Sequence, residues 1–98
     1  MLFHWSFVSF PPPFMLFERV AQPVEVLVAF REDRPEPVMF RWNNRHYQVR
    51  QVKTIHAEQN DLGKKFIFSV SDDRDIFHLS FRSDTLHWLL EERCNIPA

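Results

Sequence analysis

The stretch that decides the fold is Pro37-Val-Met-Phe-Arg-Trp-Asn-Asn-Arg-His-Tyr-Gln-Val-Arg50. It predicts a β-hairpin closed by Asn43-Asn44, because asparagine tolerates the left-handed backbone that both corners of a type I′ turn require. A two-residue loop pairs Trp42 with Arg45, Phe40 with Tyr47 and Val38 with Val49. Since side chains alternate along a strand, these six residues share one face, and the other face carries Met39, Arg41, His46 and Gln48. This register separates apolar from polar side chains almost completely.

The composition of the chain predicts one small folded domain. It has 98 residues, 45% of them apolar, with eleven phenylalanines and a net charge of −1. Each well-buried phenylalanine contributes about 1.5–3 kcal/mol, so a core of this kind can form without a disulfide or a metal. The near-zero net charge excludes strong non-specific attraction of the whole molecule to nucleic acid.

The single cysteine, Cys94, and the N-terminal segment bear on the cellular compartment. One cysteine excludes an intramolecular disulfide, and we expect a cytoplasmic protein. The apolar first residues lack a basic start and a cleavage site, and Pro11-Pro12-Pro13 interrupts them before they can span a bilayer. We expect residues 1–20 to form a poorly anchored extension, residues 21–98 to form a single β-barrel-like domain, and no membrane contact. Met1 and Met15 both stay open as the natural start.

Further strands are predicted on both sides of the hairpin. Residues 24–30 read as a first strand with little exposed area, and residues 31–37 as a charged loop whose prolines exclude a ladder. The third strand continues to about Ala57, with a bulge or sharp bend near Arg50-Gln51, and residues 58–63 form a loop. If Asp73-Arg74 closes the next hairpin, its register pairs Val70 with Phe77, Phe68 with Leu79 and Phe66 with Phe81.

Residues 85–94 fit two elements. A helix capped by Asp84 would present Leu86, Leu89 and Leu90 on one face. A strand would place Leu86, Trp88, Leu90 and Cys94 inward, and we favour it because it covers an otherwise open sheet edge. The predicted architecture is all-β, a five- to six-stranded antiparallel meander curled into a small SH3-like or split barrel.

The run from Pro37 to Val52, together with Phe77-x-Leu79 and Trp88-x-Leu90, resembles a family of small bacterial β-domains of unknown function. The likeness covers about residues 24–94. Members of that family occur alone or follow the polymerase-like region of DNA-damage-response proteins, so the resemblance implies an accessory role in DNA repair or processing. No catalytic residue is established for the family, and none is carried over. Asn44 stands where the family pattern often has glycine.

The sequence predicts no catalytic, metal or cofactor site. One glycine in 98 residues excludes phosphate-binding loops, and the five histidines lack metal-ligand spacing. Ser69 and His78 fall opposite each other near Asp72 and Asp75, which leaves a minor hydrolase alternative. Cross-strand polar pairs on a solvated sheet face explain the pair better. The acidic run at residues 72–75 lacks the liganding pattern of a calcium loop and reads as a turn.

A basic island is the candidate binding site. Residues 38–57 carry four basic side chains and no acidic one. Guanidinium and aromatic groups side by side on a curved sheet are what single-stranded nucleic acid binding uses. We expect Arg45 to stack on the nearby tryptophan. The predicted nucleic-acid-binding residues are Arg41, Trp42, Arg45, His46, Arg50 and Lys53.

The sequence therefore predicts a non-enzymatic binding module that contacts single-stranded or duplex nucleic acid. The blander interpretation is a solvated face whose arginines keep the protein soluble. The alternative function is a protein–protein adaptor that docks a partner through exposed Met39 and Ile67 or through an open sheet edge. The oligomeric state stays open.

Overall fold

A computed structural model describes residues 16–95, and within that range the chain forms eight strands and no helix. The all-β prediction is confirmed, but the predicted number of five to six strands is too low. The strands are β1 (Phe17–Pro23), β2 (Glu25–Arg31), β3 (Arg34–Trp42), β4 (Arg45–Gln48), β5 (Gln51–Asn60), β6 (Gly63–Ser71), β7 (Asp75–Arg82) and β8 (His87–Asn95).

The strands form two antiparallel sheets. The large sheet has the order β1-β8-β7-β6-β5, and the small sheet has the order β2-β3-β4. The chain passes from one sheet to the other twice, between β1 and β2 and between β4 and β5. Within residues 16–95 no ladder joins the two sheets, so the barrel is not closed and the predicted SH3-like or split barrel is not confirmed.

The predicted Asn43-Asn44 hairpin is confirmed. Asn43 and Asn44 have φ angles of 53° and 61°, the left-handed values of a type I′ turn. The register is the predicted one, and the Val49 N–H donates to the Val38 carbonyl at 2.9 Å. The paired residues are Trp42 with Arg45, Arg41 with His46, Phe40 with Tyr47 and Met39 with Gln48.

The predicted register of the second hairpin is also confirmed. Val70 pairs with Phe77, Phe68 with Leu79 and Phe66 with Phe81. Asp72 shapes the turn, since its Oδ1 accepts hydrogen bonds of 2.7 Å from the backbone N–H groups of Arg74 and Asp75. The acidic run at residues 72–75 therefore forms a turn, as the sequence indicates.

The bend predicted near Arg50-Gln51 is the passage between the sheets. The chain leaves the small sheet after Gln48 and enters the large one at Gln51, and the Arg50 N–H donates to the Ser71 carbonyl at 2.8 Å. A register shift between Val52 and Thr54 leaves Lys53 as the extra residue of a bulge. The strand then runs to Asn60, so the predicted loop at 58–63 shrinks to a turn at 61–62.

The prediction that residues 31–37 form a loop outside any ladder is wrong. Glu32 and Asp33, with φ angles of 52° and 65°, close a tight turn, and β3 begins at Arg34. Proline fits there because β4 pairs with β3 only from Met39 onward, so no strand needs the proline nitrogen as a donor. The register pairs Arg31 with Arg34, Phe30 with Pro35 and Val28 with Pro37.

The first and the last of the described strands pair with each other. β1, which the sequence did not predict, pairs with β8 from Phe17 to Pro23, with an irregularity where Ala21 has a φ of 52°. The predicted boundary between residues 20 and 21 therefore falls inside a strand. Of the predicted extension at residues 1–20, residues 1–15 lie outside the described residues, as do the C-terminal residues 96–98.

The strand alternative for residues 85–94 is confirmed from His87 onward. Leu90 is fully buried and Trp88 half-buried on the side of the core, as predicted. The inward placement of Cys94 is wrong: an extra residue at Glu91 shifts the register, so Cys94 is buried opposite Ile76 on the other face of the sheet. The inward placement of Leu86 is wrong, because this residue lies in the turn with a φ of 61° and its side chain is 71% exposed.

The core lies between the two sheets. Its buried members are Phe40 from the small sheet and Phe68, Val70, Phe77, Leu79 and Leu90 from the large sheet. Phe77 joins the layers, since its ring meets Phe40 edge-on at 5.0 Å and Tyr47 at 5.3 Å between centroids. We call the side of the small sheet that carries Phe40 its inner face and the opposite side its outer face.

Candidate binding surfaces

The hairpin divides the predicted nucleic-acid residues between two faces. Arg41 and His46 pair across the strands on the outer face, whereas Trp42 and Arg45 pair on the inner side near the turn. Arg50 lies in the passage between the sheets and Lys53 at the bulge of β5. The predicted residues therefore do not share one face: they lie on both faces of the hairpin, in the passage between the sheets and on β5.

Acidic side chains from elsewhere reach the basic island. Arg41 Nη2 lies 2.7 Å from Glu25 Oε1 of β2, and Arg50 Nε lies 3.6 Å from Asp73 Oδ2 of the second turn. Arg45 and Lys53 are exposed and form no ion pair with any described residue. The free positive charge of the island is therefore smaller than its sequence indicates.

Trp42 is half-buried and already occupied on its polar edge. Its Nε1–H donates to Gln22 Oε1 of β1 at 2.8 Å. The cation over its ring is the guanidinium of Arg93 from β8, 5.7 Å from the ring centroid. The predicted partner, Arg45, lies opposite Trp42 in register but does not take this place.

Arg93 is held by two neighbours at the end of the large sheet. Its Nε lies 3.5 Å from Asp75 Oδ2, and its Nη2 donates to Asn95 Oδ1 at 2.9 Å. Burial raises the pKa of Asp75, and the nearby Arg93 charge opposes that rise. The Arg93 contact with Trp42 is thus a polar link between the two sheets, which lack a shared ladder.

A groove of about 580 Å³ runs beside the Asn43-Asn44 turn. Two of the predicted nucleic-acid residues, Arg41 and Trp42, line it, together with the Glu25 that pairs with Arg41. The other lining residues are Gln22, Pro23, Val24, Asn43 and Asn44. The groove therefore offers one neutralised guanidinium, three amides and a partly covered indole.

The Ser69 and His78 pair is in register as predicted, but His78 makes other contacts. Its Nδ1 lies 3.0 Å from Glu92 Oε1, and its ring stacks on Phe17 with centroids 4.5 Å apart. These contacts tie β1 to the middle of the large sheet. The hydrolase alternative stays a prediction. Among residues 16–95, no cluster of histidine, cysteine and carboxylate groups suits a metal ion.

The thiol of Cys94 is buried opposite Ile76, at the start of β7. Its side chain is inaccessible to solvent, and burial raises its pKa, with a further contribution from the negative charge of Asp75. A buried thiol with a raised pKa holds little reactive thiolate.

Strand β2 exposes apolar side chains, which the sequence did not predict. Leu27 is 56% exposed on the outer face and Phe30 is 78% exposed on the inner side, so the prediction of a strand with little exposed area is wrong for these two residues. Met39 and Ile67, which the sequence proposed as exposed docking residues, are half-buried. Met39 pairs directly with Leu27, and a shallow groove of about 280 Å³ lies over them.

The backbone of β2 has a free side. From Glu25 onward β2 forms a ladder with β3 alone. The preceding residue, Val24, donates its N–H to the Trp88 carbonyl of β8 at 3.2 Å, so the free side begins after it. Phe30 lies opposite Pro35 and Val28 opposite Pro37. Because proline has no N–H, these two are non-hydrogen-bonded pairs of the ladder, and the backbone groups of Val28 and Phe30 point away from β3. Because peptide groups alternate in direction, the N–H and C=O of Val28, Phe30 and Val26 point to the open edge.

The other open edges lack this combination. β5 is longer but exposes no large apolar side chain, and its bulge carries a lysine, a common protection against edge pairing. Leu62 and Leu86 are exposed at turns, where the chain offers no strand edge. Among the described strands, β2 alone combines a free edge with exposed large apolar side chains.

Comparisons of the chain with family models, with curated proteins and with solved structures give no match. The resemblance to the small bacterial β-domain family therefore stays a prediction. Within residues 16–95 no helix has the length and apolar character needed to span a membrane.

Proposed function

We propose that the chain is a non-catalytic protein-binding module that takes a β-strand of a partner along the free edge of β2. The observation that carries this proposal is the coincidence of outward-pointing backbone groups with exposed Leu27 and Phe30 on one edge strand. The register shift between Leu27 and Val28 comes from an extra residue in β3, Val38, so the alternation along β2 itself is kept. In strand addition, main-chain hydrogen bonds supply affinity and alternate side chains supply specificity. The proposal takes up the adaptor alternative and moves its anchors from Met39 and Ile67 to Leu27 and Phe30.

The side chains around β2 define what a partner strand must offer. On the outer face Leu27 lies between the Glu25–Arg41 ion pair and the Arg31–Glu36 ion pair, whose closest atoms are 2.7 Å and 3.6 Å apart. An apolar residue opposite Leu27 would bury surface, at about 25 cal/mol per Å². A charged residue there would lose hydration without a partner. We expect partners with an apolar centre and charged ends.

Peptide selection followed by NMR mapping tests this function. Peptides selected from a random library on the full chain are expected to shift the amide signals of β2 and to slow hydrogen exchange at Val28 and Phe30. Phe30→Asp should weaken such binding at least tenfold, because it removes an anchor and adds an unpaired charge. Leu62→Asp, an equally drastic change at an exposed leucine in a turn, is the control and should leave the affinity unchanged. Selected peptides that map elsewhere would refute the proposal.

Nucleic-acid binding at the hairpin is the second candidate, supported by the groove that joins Arg41 to Trp42 and by the unpaired cations Arg45 and Lys53. It stands behind the first because Glu25 and Asp73 neutralise two of the predicted contacts. The link to DNA repair depends on the family resemblance alone.

Fluorescence anisotropy with single-stranded and duplex oligonucleotides at two salt concentrations tests the second candidate. If it holds, Arg45→Ala weakens binding about three- to tenfold and lowers the salt slope by about one. Arg41→Ala has a smaller effect, because Glu25 already balances its charge. Arg34→Ala, an exposed cation at the far hairpin, is the control. Equal effects of Arg45→Ala and Arg34→Ala would show a non-specific charge effect only.

A further inference from the structure

The sequence of β2 is complementary to itself when it is read in the opposite direction. We propose that a second copy of this chain occupies the β2 edge, with the two strands antiparallel about a two-fold axis at Val28. This inference deepens the proposed strand addition by naming the partner. The facing pairs are Glu25 with Arg31, Val26 with Phe30, Leu27 with Ala29 and Val28 with its own copy.

Charge complementarity is the first argument for this register. Glu25 and Arg31 are the two charged residues of β2, one at each end, with side chains 75% and 65% exposed. The two-fold axis places each beside its opposite in the other copy, so that two ion pairs form. Their partners within the chain, Arg41 and Glu36, lie on β3, on the side of β2 away from the open edge.

The apolar side chains give a second, independent argument. Phe30 faces Val26 on the inner side, and Leu27 faces Ala29 on the outer side. Each exposed large side chain thereby meets a smaller apolar one, so that the pair fits without crowding. Each facing pair joins two outer-face residues or two inner-face residues. The outer faces of both small sheets therefore lie on the same side of the combined sheet.

The backbone gives the third argument. The groups that point to the open edge belong to Val26, Val28 and Phe30, and the two-fold register sets these residues opposite one another. Three hydrogen-bonded pairs result. If the register between the two copies shifted by one residue, backbone groups that point to the open edge would face residues whose backbone groups point back to β3. A shift of the axis to Leu27 or Ala29 would separate Glu25 from Arg31, so one register satisfies all three conditions.

The small size of this strand-to-strand contact, which we call the seam, predicts a weak and reversible dimer. A single pair of seven-residue strands falls short of the roughly 1,600 Å² that stable interfaces bury. We therefore expect a dissociation constant on the order of 10–100 µM. Association at that strength would join the two small sheets into one continuous six-stranded sheet in the order β4-β3-β2-β2-β3-β4.

Analytical ultracentrifugation of the full chain between about 5 and 500 µM tests the inference. The wild type should shift from the 11.9 kDa monomer to a dimer as the concentration rises. Glu25→Lys sets a lysine against Arg31, and Arg31→Glu sets two glutamates together, so each variant alone should dimerise about tenfold more weakly. In an equimolar mixture the introduced lysine of one chain meets the introduced glutamate of the other, and a heterodimer of near wild-type strength should form.

The mixture separates an intermolecular contact from an effect on folding. Lost intrachain pairs with Arg41 or Glu36 cannot be restored by mixing, whereas contacts across the seam can. Leu86→Glu, at an exposed leucine in a turn, should leave the dimer unchanged. A wild type that stays monomeric at 500 µM, or a mixture as weak as its components, would overturn the self-pairing. The strand-addition function would survive that result if selected peptides still map to β2, and would fail with it if they do not.

Discussion

Replacing Phe77 by alanine is expected to lower the free energy of unfolding by about 3–5 kcal/mol, because a cavity takes the place of a large buried ring. Phe77 lies on β7 inside the large sheet, has no exposed surface, and touches Phe40 and Tyr47 of the small sheet. Because no ladder joins the sheets within residues 16–95, ring contacts of this kind hold the layers together. Replacing the Phe77 ring by a methyl group therefore weakens the packing of the two sheets against each other.

Urea denaturation followed by circular dichroism measures this loss, with Phe30→Ala as the matched control at low protein concentration. Phe30 undergoes the same truncation but is 78% exposed, so its loss should change the unfolding free energy by less than about 0.5 kcal/mol. A domain of this size has a total stability of about 5–15 kcal/mol, so Phe77→Ala removes a large fraction of it. Equal costs for the two variants would contradict the described packing.

The sequence predicted registers best where a short turn fixes them. Asn43-Asn44 and Asp73-Arg74 each close a short loop, and once the loop length is known every cross-strand pair follows from the period of two. The bend near Arg50-Gln51 was visible because the inward parity that holds at Val49 fails at Val52. Local patterns therefore sufficed for the hairpins and for one passage between the sheets.

The sequence failed where the answer depends on which side of a strand is occupied. Prolines at 35 and 37 exclude hydrogen bonds only on the side their nitrogens face, and no described strand pairs with them on that side. β1 was missed because its pairing with β8 joins residues more than about sixty positions apart, and no local pattern reports such a contact. Strand order, not strand propensity, was the unknown.

For the candidate sites, too, local sequence patterns did not show which distant residues come together in the fold. The absence of acidic residues from 38–57 predicted free cations, but folding brings in Glu25 and Asp73 from other parts of the chain. The apolar run of β2 predicted burial, but as an edge strand it leaves Leu27 and Phe30 in solvent. One signal in the sequence did point to the edge, namely the opposite charges at the two ends of an otherwise apolar segment.

Gly63, the only glycine in the chain, joins the β5–β6 turn to the neighbouring hairpin. Its φ of 141° is one that side-chain-bearing residues rarely adopt, and a Cβ there would lie 2.9 Å from Ser83 Oγ. That hydroxyl accepts a hydrogen bond from the Lys64 N–H at 2.9 Å, and the Ser83 N–H donates to the Lys64 carbonyl at 2.9 Å. The glycine thus permits both an unusual backbone and a close approach between two turns.

Gly63→Ala is therefore expected to cost about 1–3 kcal/mol in unfolding free energy. A double-mutant cycle with Ser83→Ala, measured by urea denaturation, divides that cost into its two causes. Removing the hydroxyl relieves the contact with the new Cβ but not the backbone strain, so the double variant should lose less than the sum of the single variants and more than Ser83→Ala alone. A cost for Gly63→Ala below about 0.5 kcal/mol would mean that the turn adopts another backbone, and with it that the two hairpins do not meet through Lys64 and Ser83.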